Sequence, residues 1–145
     1  MSKHEIAGAA DDCSGMSKAQ YKAARKDIAH QYERERSACK AMVGNARHVC
    51  IEEAKGREKI AEAEVKAAYS PSEKHRHELH TARIEVAHAV AREACDSLSG
   101  NARDVCRNDA KGAYLAAKGE AEFAQQSTTR AAARDDAGAV RRDAV

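Results

Sequence analysis

Tryptophan is absent from this chain, and phenylalanine and proline occur once each. No run of apolar residues approaches the length needed to cross a membrane. Nor is there a clear excess of charge: the net value is +2, with acids and bases interleaved along 145 residues. Each gap removes a class of protein. A surface that tracks phosphates needs a basic excess, so nucleic acid is not expected as the main partner. Without aromatic bulk, and with much of the nominal hydrophobic content in alanine, a large core is excluded. Ile28, Val43, Val49, Ile51, Ile60, Val65, Leu79, Ile84, Val86, Val90, Leu98, Val105, Leu115 and Phe123 are scattered. At roughly 25 cal/mol per Å² of apolar area, such a core stabilises weakly. Cross-links are the expected supplement. The first twenty residues also lack the apolar centre of a signal peptide. The chain is therefore expected either to be cytosolic or to have lost a signal ahead of Met1.

What is present is a repeat. Cys39 to Gly56 reads CKAMVGNARHVCIEEAKG, and Cys95 to Gly112 reads CDSLSGNARDVCRNDAKG. Ten of these eighteen positions are identical, at an offset of 56 residues. A block copied this closely implies that both halves are built alike.

Around the repeat, Ala, Lys, Arg, Glu and Gln favour helix throughout, and nothing alternates like a strand. Residues 1–16 read as a flexible leader. Repeat one covers 17–69, repeat two 70–126, and a polar tail is expected over 127–145. Ser17 can cap the first helix. Gly44-Asn45 and Gly100-Asn101 read as breaks, with glycine in the left-handed region and asparagine capping the next helix. Asn101 with Asp104 resembles a capping box. Ser70-Pro71-Ser72-Glu73 reads as a helix start, with Ser70 as cap and Pro71 at the first helical position. Ile28, Cys39, Cys50 and Ala61 fall eleven residues apart, as do Ile84, Cys95, Cys106 and Ala117. Such a step keeps one face of a straight helix.

Two cysteine pairings remain open. Eleven residues of continuous helix rise about 16 Å, and a disulfide needs Cα atoms within about 7 Å. If the chain reverses at each Gly-Asn, Cys39 pairs with Cys50 and Cys95 with Cys106. If it runs straight there and reverses only at the Ser-Pro turn, Cys39 pairs with Cys106 and Cys50 with Cys95. The second arrangement resembles the twin-cysteine hairpin of mitochondrial coiled-coil-helix proteins, although that family has nine residues between its cysteines and this chain ten. The first is preferred, because it gives both Gly-Asn pairs a purpose. The expected fold is thus all-α, two tandem disulfide-stapled helical hairpins in a slim four-helix arrangement, with one long two-helix hairpin as the alternative.

The repeat Cys-x-x-Leu-x-Gly-Asn-Ala-Arg-Asp-Val-Cys with a following Ala-Lys-Gly, and the central Tyr69-Ser70-Pro71-Ser72, resembles a group of Ala/Lys/Glu-rich exported proteobacterial proteins. Some of these are named TolA-like. The resemblance spans about Tyr21 to Phe123 and implies a periplasmic or secreted location, with no activity attached. Stable disulfides point to the same compartments.

Chemistry-bearing clusters are sparse. His77 and His80 lie three residues apart on a helix with Glu73 nearby, a set that could hold Zn, Ni or Cu weakly. His75 points away from them, and the His-Glu-x-x-His pattern is missing. The alternative reading is a solvated helix start. Cysteines with ten residues between them suit disulfides better than zinc. Cys13 is left free or as a link between two chains. Glu52, Glu53, Glu62, Glu64, Asp109, Glu120 and Glu122 sit among bases at helical spacing and read as a solvated face. Tyr21, Tyr32, Tyr69 and Tyr114 read as packing residues. The expectation is a non-enzymatic exported structural or protein-interaction protein of the bacterial envelope, without cofactor and with an unnamed protein or envelope partner. The rivals are a transition-metal buffer, a hydrophilic stress protector and a lipid-surface binder, the last needing a broader apolar face.

Overall fold

The computed structural model describes residues 15–144, with side chains over 15–135; the leader's first fourteen residues, Cys13 and Val145 lie outside the described residues. Four helices follow in order: α1 Lys18–Cys39, α2 Gly44–Tyr69, α3 Glu73–Cys95 and α4 Gly100–Ala144. Among the described residues, each helix packs only against its neighbours in the chain, α1 on α2, α2 on α3 and α3 on α4. The result is an open row rather than a closed bundle.

The two reversals are the same object made twice. Past Cys39, Lys40 N–H donates to Ser37 O (3.1 Å) and Met42 N–H to Cys39 O (3.0 Å). Past Cys95, Asp96 N–H donates to Glu93 O (3.1 Å) and Leu98 N–H to Cys95 O (3.0 Å). Gly44 then takes φ +62° and Gly100 φ +58°, a region closed to most side chains. The chain turns back and the cysteines meet. Cys39–Cys50 and Cys95–Cys106 are bonded, with Cα separations of 5.6 and 5.7 Å. The single long hairpin is therefore excluded. The eleven-residue step does not mark one face of a straight helix. It is symmetric about each turn, and sets Ile28 across from Ala61, which line the same groove.

Several local expectations need correction. Asn45 does not cap α2; the extended residue before the helix is Val43, without a side-chain bond. The Asn45 Oδ1 is buried with no partner. Asn101 likewise lies inside the first turn of α4, which starts at Gly100. At the central turn, Ser70 closes α2 instead of opening α3, its N–H donating to Lys66 O at 2.9 Å. Ser72 takes over as cap and accepts from His75 N–H at 3.0 Å, which makes Glu73 the first helical residue. Ser17 does cap α1, in a reciprocal box with Gln20. The polar tail from Ser127 is helical, and α4 continues to Ala144. Thr128 and Thr129 turn their hydroxyls back onto Ala124 O and Gln125 O, and the alanines beyond favour helix without any apolar anchor.

A row has no interior reached from all sides. Among the described residues the buried apolar ones are Cys39, Ala54, Ala82, Cys95 and Ala121, and the two cysteines are the largest side chains fully removed from solvent. The hairpins add aromatic contacts: Tyr21 stacks on Tyr69 at 4.3 Å and His88 on Tyr114 at 4.4 Å. Between the hairpins, at the α2–α3 seam, Gly56 is buried directly against Val86. Lys59–Glu85 (3.0 Å), Arg83–Glu64 (3.0 Å) and Lys66–Glu78 (3.9 Å) bridge the same seam in solvent. Exposed pairs of this kind contribute about 0–1 kcal/mol each.

Two outcomes follow from this packing. Each staple closes a separation of eleven residues, worth about 3 kcal/mol in the chain-entropy estimate. Reduction should therefore lower the midpoint of the far-UV thermal melt steeply; an unchanged midpoint would show that helix packing alone suffices. The repeat also sets up a paired test. A Cβ on Gly56 would overlap Val86 Cγ1, whereas a Cβ on Gly112 meets nothing within 4 Å. Gly56→Ala should destabilise by about 1–3 kcal/mol through overpacking. Gly112→Ala should stabilise the dilute chain by up to about 1 kcal/mol through helix propensity. Equal effects in chemical denaturation would contradict the seam.

Candidate functional site

The histidines come to lie at the far end of the α3–α4 hairpin from its staple. Glu73, His77 and His80 line a shallow cleft of about 180 Å³ together with Arg76, Ala121, Gln125 and Thr128 of the two helices. Two of these side chains have partners. Glu73 accepts from Arg76 at 3.3 Å, and His77 Nε2 is 3.5 Å from Thr81 Oγ1. His75 turns toward Ser70 O in the central turn. Among the described residues no group of three or more His, Cys, Asp or Glu side chains converges as metal ligands would. Arg76 also brings a positive charge into the cleft where a cation would sit. All four repeat cysteines are consumed by disulfides.

A larger groove, about 560 Å³, lies between α1 and α2. Ile28, Tyr32 and Ala61 supply its apolar lining, and Glu35, Arg57 and Glu58 its charge. Glu35 is tied down from both helices. Gln31 Nε2 donates to its Oε2 at 2.8 Å and Arg57 Nε to its Oε1 at 2.7 Å. These bonds, Gln31's first and Arg57's second, hold its carboxyl below the usual range. Glu58 is shifted the other way. Burial is the main cause, and the neighbouring Glu62 and Glu33 carboxylates add to it. Two carboxyl groups on one groove with opposite shifts are the raw material of an acid–base pair. Here the shifts have ordinary structural causes, an ion pair on one side and crowding of acids on the other.

The sequence reading named neither Glu35 nor Glu58. Each looks like any other acid at helical spacing. Only the fold of the first hairpin, which sets Glu35 beside Arg57 from the other helix, distinguishes them. Gly44 and Gly100 are where they were expected and act as turns. Comparison of the chain with known protein families, with curated proteins and with solved structures returned no match.

The opposite shifts give an opposite dependence on pH. A carboxyl held low stabilises the fold above its unfolded pKa, about 4.3, and the contribution is lost as pH falls through the folded value. A carboxyl pushed up stabilises below the unfolded value, and the contribution is lost as pH rises through the folded one. Glu35→Gln should therefore destabilise at pH 7, and Glu58→Gln should stabilise there. Glu58→Gln should approach the parent protein at about pH 3, below the ordinary carboxylate range, and the Glu35→Gln difference should shrink as pH falls below that range. Denaturation at the two pH values checks this. Shifts of the same sign at pH 7 would contradict the assigned surroundings.

Proposed function

We propose that this protein is a non-catalytic, exported structural or protein-interaction module of the bacterial envelope. The observation that carries the reading is the pair of disulfides. They close both hairpins and provide the two largest fully buried side chains of the fold. A chain so dependent on oxidised cysteines suits an oxidising compartment. The resemblance of the cysteine repeat to exported Ala/Lys/Glu-rich proteins supports the same location. No described helix is long and apolar enough to cross a membrane. The architecture supports an interaction role, because an open row presents long helix faces and α4 runs 45 residues against 22 to 26 for the others. Faces of that kind recognise other chains by helix packing and a few anchors.

The test is thiol accessibility in the native cell. A maleimide carrying a polymer tag should fail to label Cys39, Cys50, Cys95 and Cys106 until reductant is added, and the protein should fractionate outside the cytoplasm. Removal of all four cysteines should leave little accumulated protein. Full labelling without reductant, in a cytoplasmic fraction, would overturn the exported role.

A further inference from the structure

Among the described residues, the row leaves two helix faces without a neighbour, one at each edge, and they differ. The free face of α1 carries Lys22, Lys26, His30, Glu33 and Ser37, all exposed. That of α4 carries Val105, Leu115 and Phe123, which are 49%, 55% and 69% exposed. Gly112 and Gly119 lie between them with nothing within 4 Å. At 3.6 residues per turn these five share one stripe, opposite the half-buried Cys106, Ala110 and Tyr114 that face α3. The internal repeat provides the comparison. Gly56 occupies the place in α2 that Gly112 occupies in α4, and Gly56 receives Val86 of the next helix. The hole is present in both repeats and filled in one.

We infer that α4 pairs antiparallel with α4 of a second copy of this chain, about a two-fold axis. The stripe is complementary to itself. A register that places Leu115 over Gly119 of the second copy also brings Phe123 within one residue of Gly112, and the axis repeats both contacts. Each bulky side chain enters a gap left by a glycine, as Val86 does at Gly56. The same register brings Lys111 beside Glu122 of the second copy, along one flank of the stripe, so the charges agree with the packing. The dimer continues the row of helices across its axis, and the polar face of α1 closes it at both outer edges, as terminal units of stacked helical repeats do. A two-fold contact uses one surface twice and ends there. The surface belongs to the fold and does not rest on the exported role.

Sedimentation of the full chain with Cys13→Ser, which removes any link through that thiol, tests the pairing. A reversible dimer is expected. Leu115→Glu or Phe123→Glu should each weaken it at least about tenfold, as loss of a central anchor does. Because both side chains are exposed in the single chain, the far-UV spectrum should stay unchanged. Gly112→Leu should also weaken the dimer, by filling the gap that Phe123 enters. Under mild oxidation, Ala116→Cys, close to the axis, should cross-link two chains, and Ala29→Cys on the free face of α1 should not. A chain that remains monomeric at about 1 mM, where even weak contacts of about 4 kcal/mol half-saturate, would overturn the inference. So would association indifferent to Leu115 and Phe123. Assembly beyond a dimer, lost on Lys26→Glu, would replace it with a head-to-tail contact between α4 and α1.

Discussion

The reversal between paired cysteines is the constraint on which the rest depends. A helix in a flat row has at most two neighbours, so it cannot be held by side chains converging from all round. Its hydrophobic return is limited by the small residues that line it. Cys39 and Cys95 sit at the last positions of α1 and α3, and their partners lie in the second turn of the following helix. Each bond therefore fixes the register of two whole helices from one end. Once Cys39 faces Cys50, Ile28 must face Ala61 and Tyr21 must come to Tyr69, whatever those contacts contribute themselves. The left-handed glycine and the short turn bonds behind it make the cysteines meet without moving either helix.

The repeats share this device and diverge elsewhere, and the divergence decides which surfaces are open. The identical block reaches only as far as the closing glycine, Gly56 in one copy and Gly112 in the other. Beyond it, repeat one is followed by a helix that brings Val86, whereas no described helix packs on α4 in the same way. Lys59 in α2 becomes Leu115 in α4, and Ala67 becomes Phe123. A position that ends in an ion pair with Glu85 in the first repeat is thus apolar in the second, although it is exposed there as well. Propensity for helix gives no reason for that change. A helix or chain packed on the outside of α4 does.

Much of this was legible in the sequence, and the limits have physical causes. The helices, the left-handed glycines and the hairpin staples follow from residue types whose preferences are strong and local. The caps were misplaced by short distances, because Ser70 and Ser72 are equally good caps and only the end of α2 decides which is free. The polar composition after Ser127 hides the end of α4, because alanine and arginine sustain a helix without large apolar anchors. Glu35 and Glu58 were invisible for a different reason. Their settings depend on which residues the hairpin brings across, and that information lies in the fold. His77, His80 and Glu73 come to one cleft as their spacing suggested, with Glu73 bonded to Arg76 and His77 beside Thr81.

The seam between α2 and α3 differs in kind from everything else in the chain. Each hairpin is closed covalently, so its two helices cannot separate while the cysteines are oxidised. The seam has no such link beyond the short Ser-Pro connection. Its ion pairs are solvent-exposed and contribute little, so its cohesion rests on the close approach of Gly56 to Val86 and the burial of Ala82. The seam is thus the one helix contact among the described residues held without a covalent cross-link, although α2 and α3 pack together more extensively than either hairpin pair. A second seam of the same design at α4 would be weaker still without a connecting chain, because association must also overcome the loss of free translation. Larger anchors compensate for that loss, and Leu115 and Phe123 stand where the internal seam manages with Lys59 and Ala67.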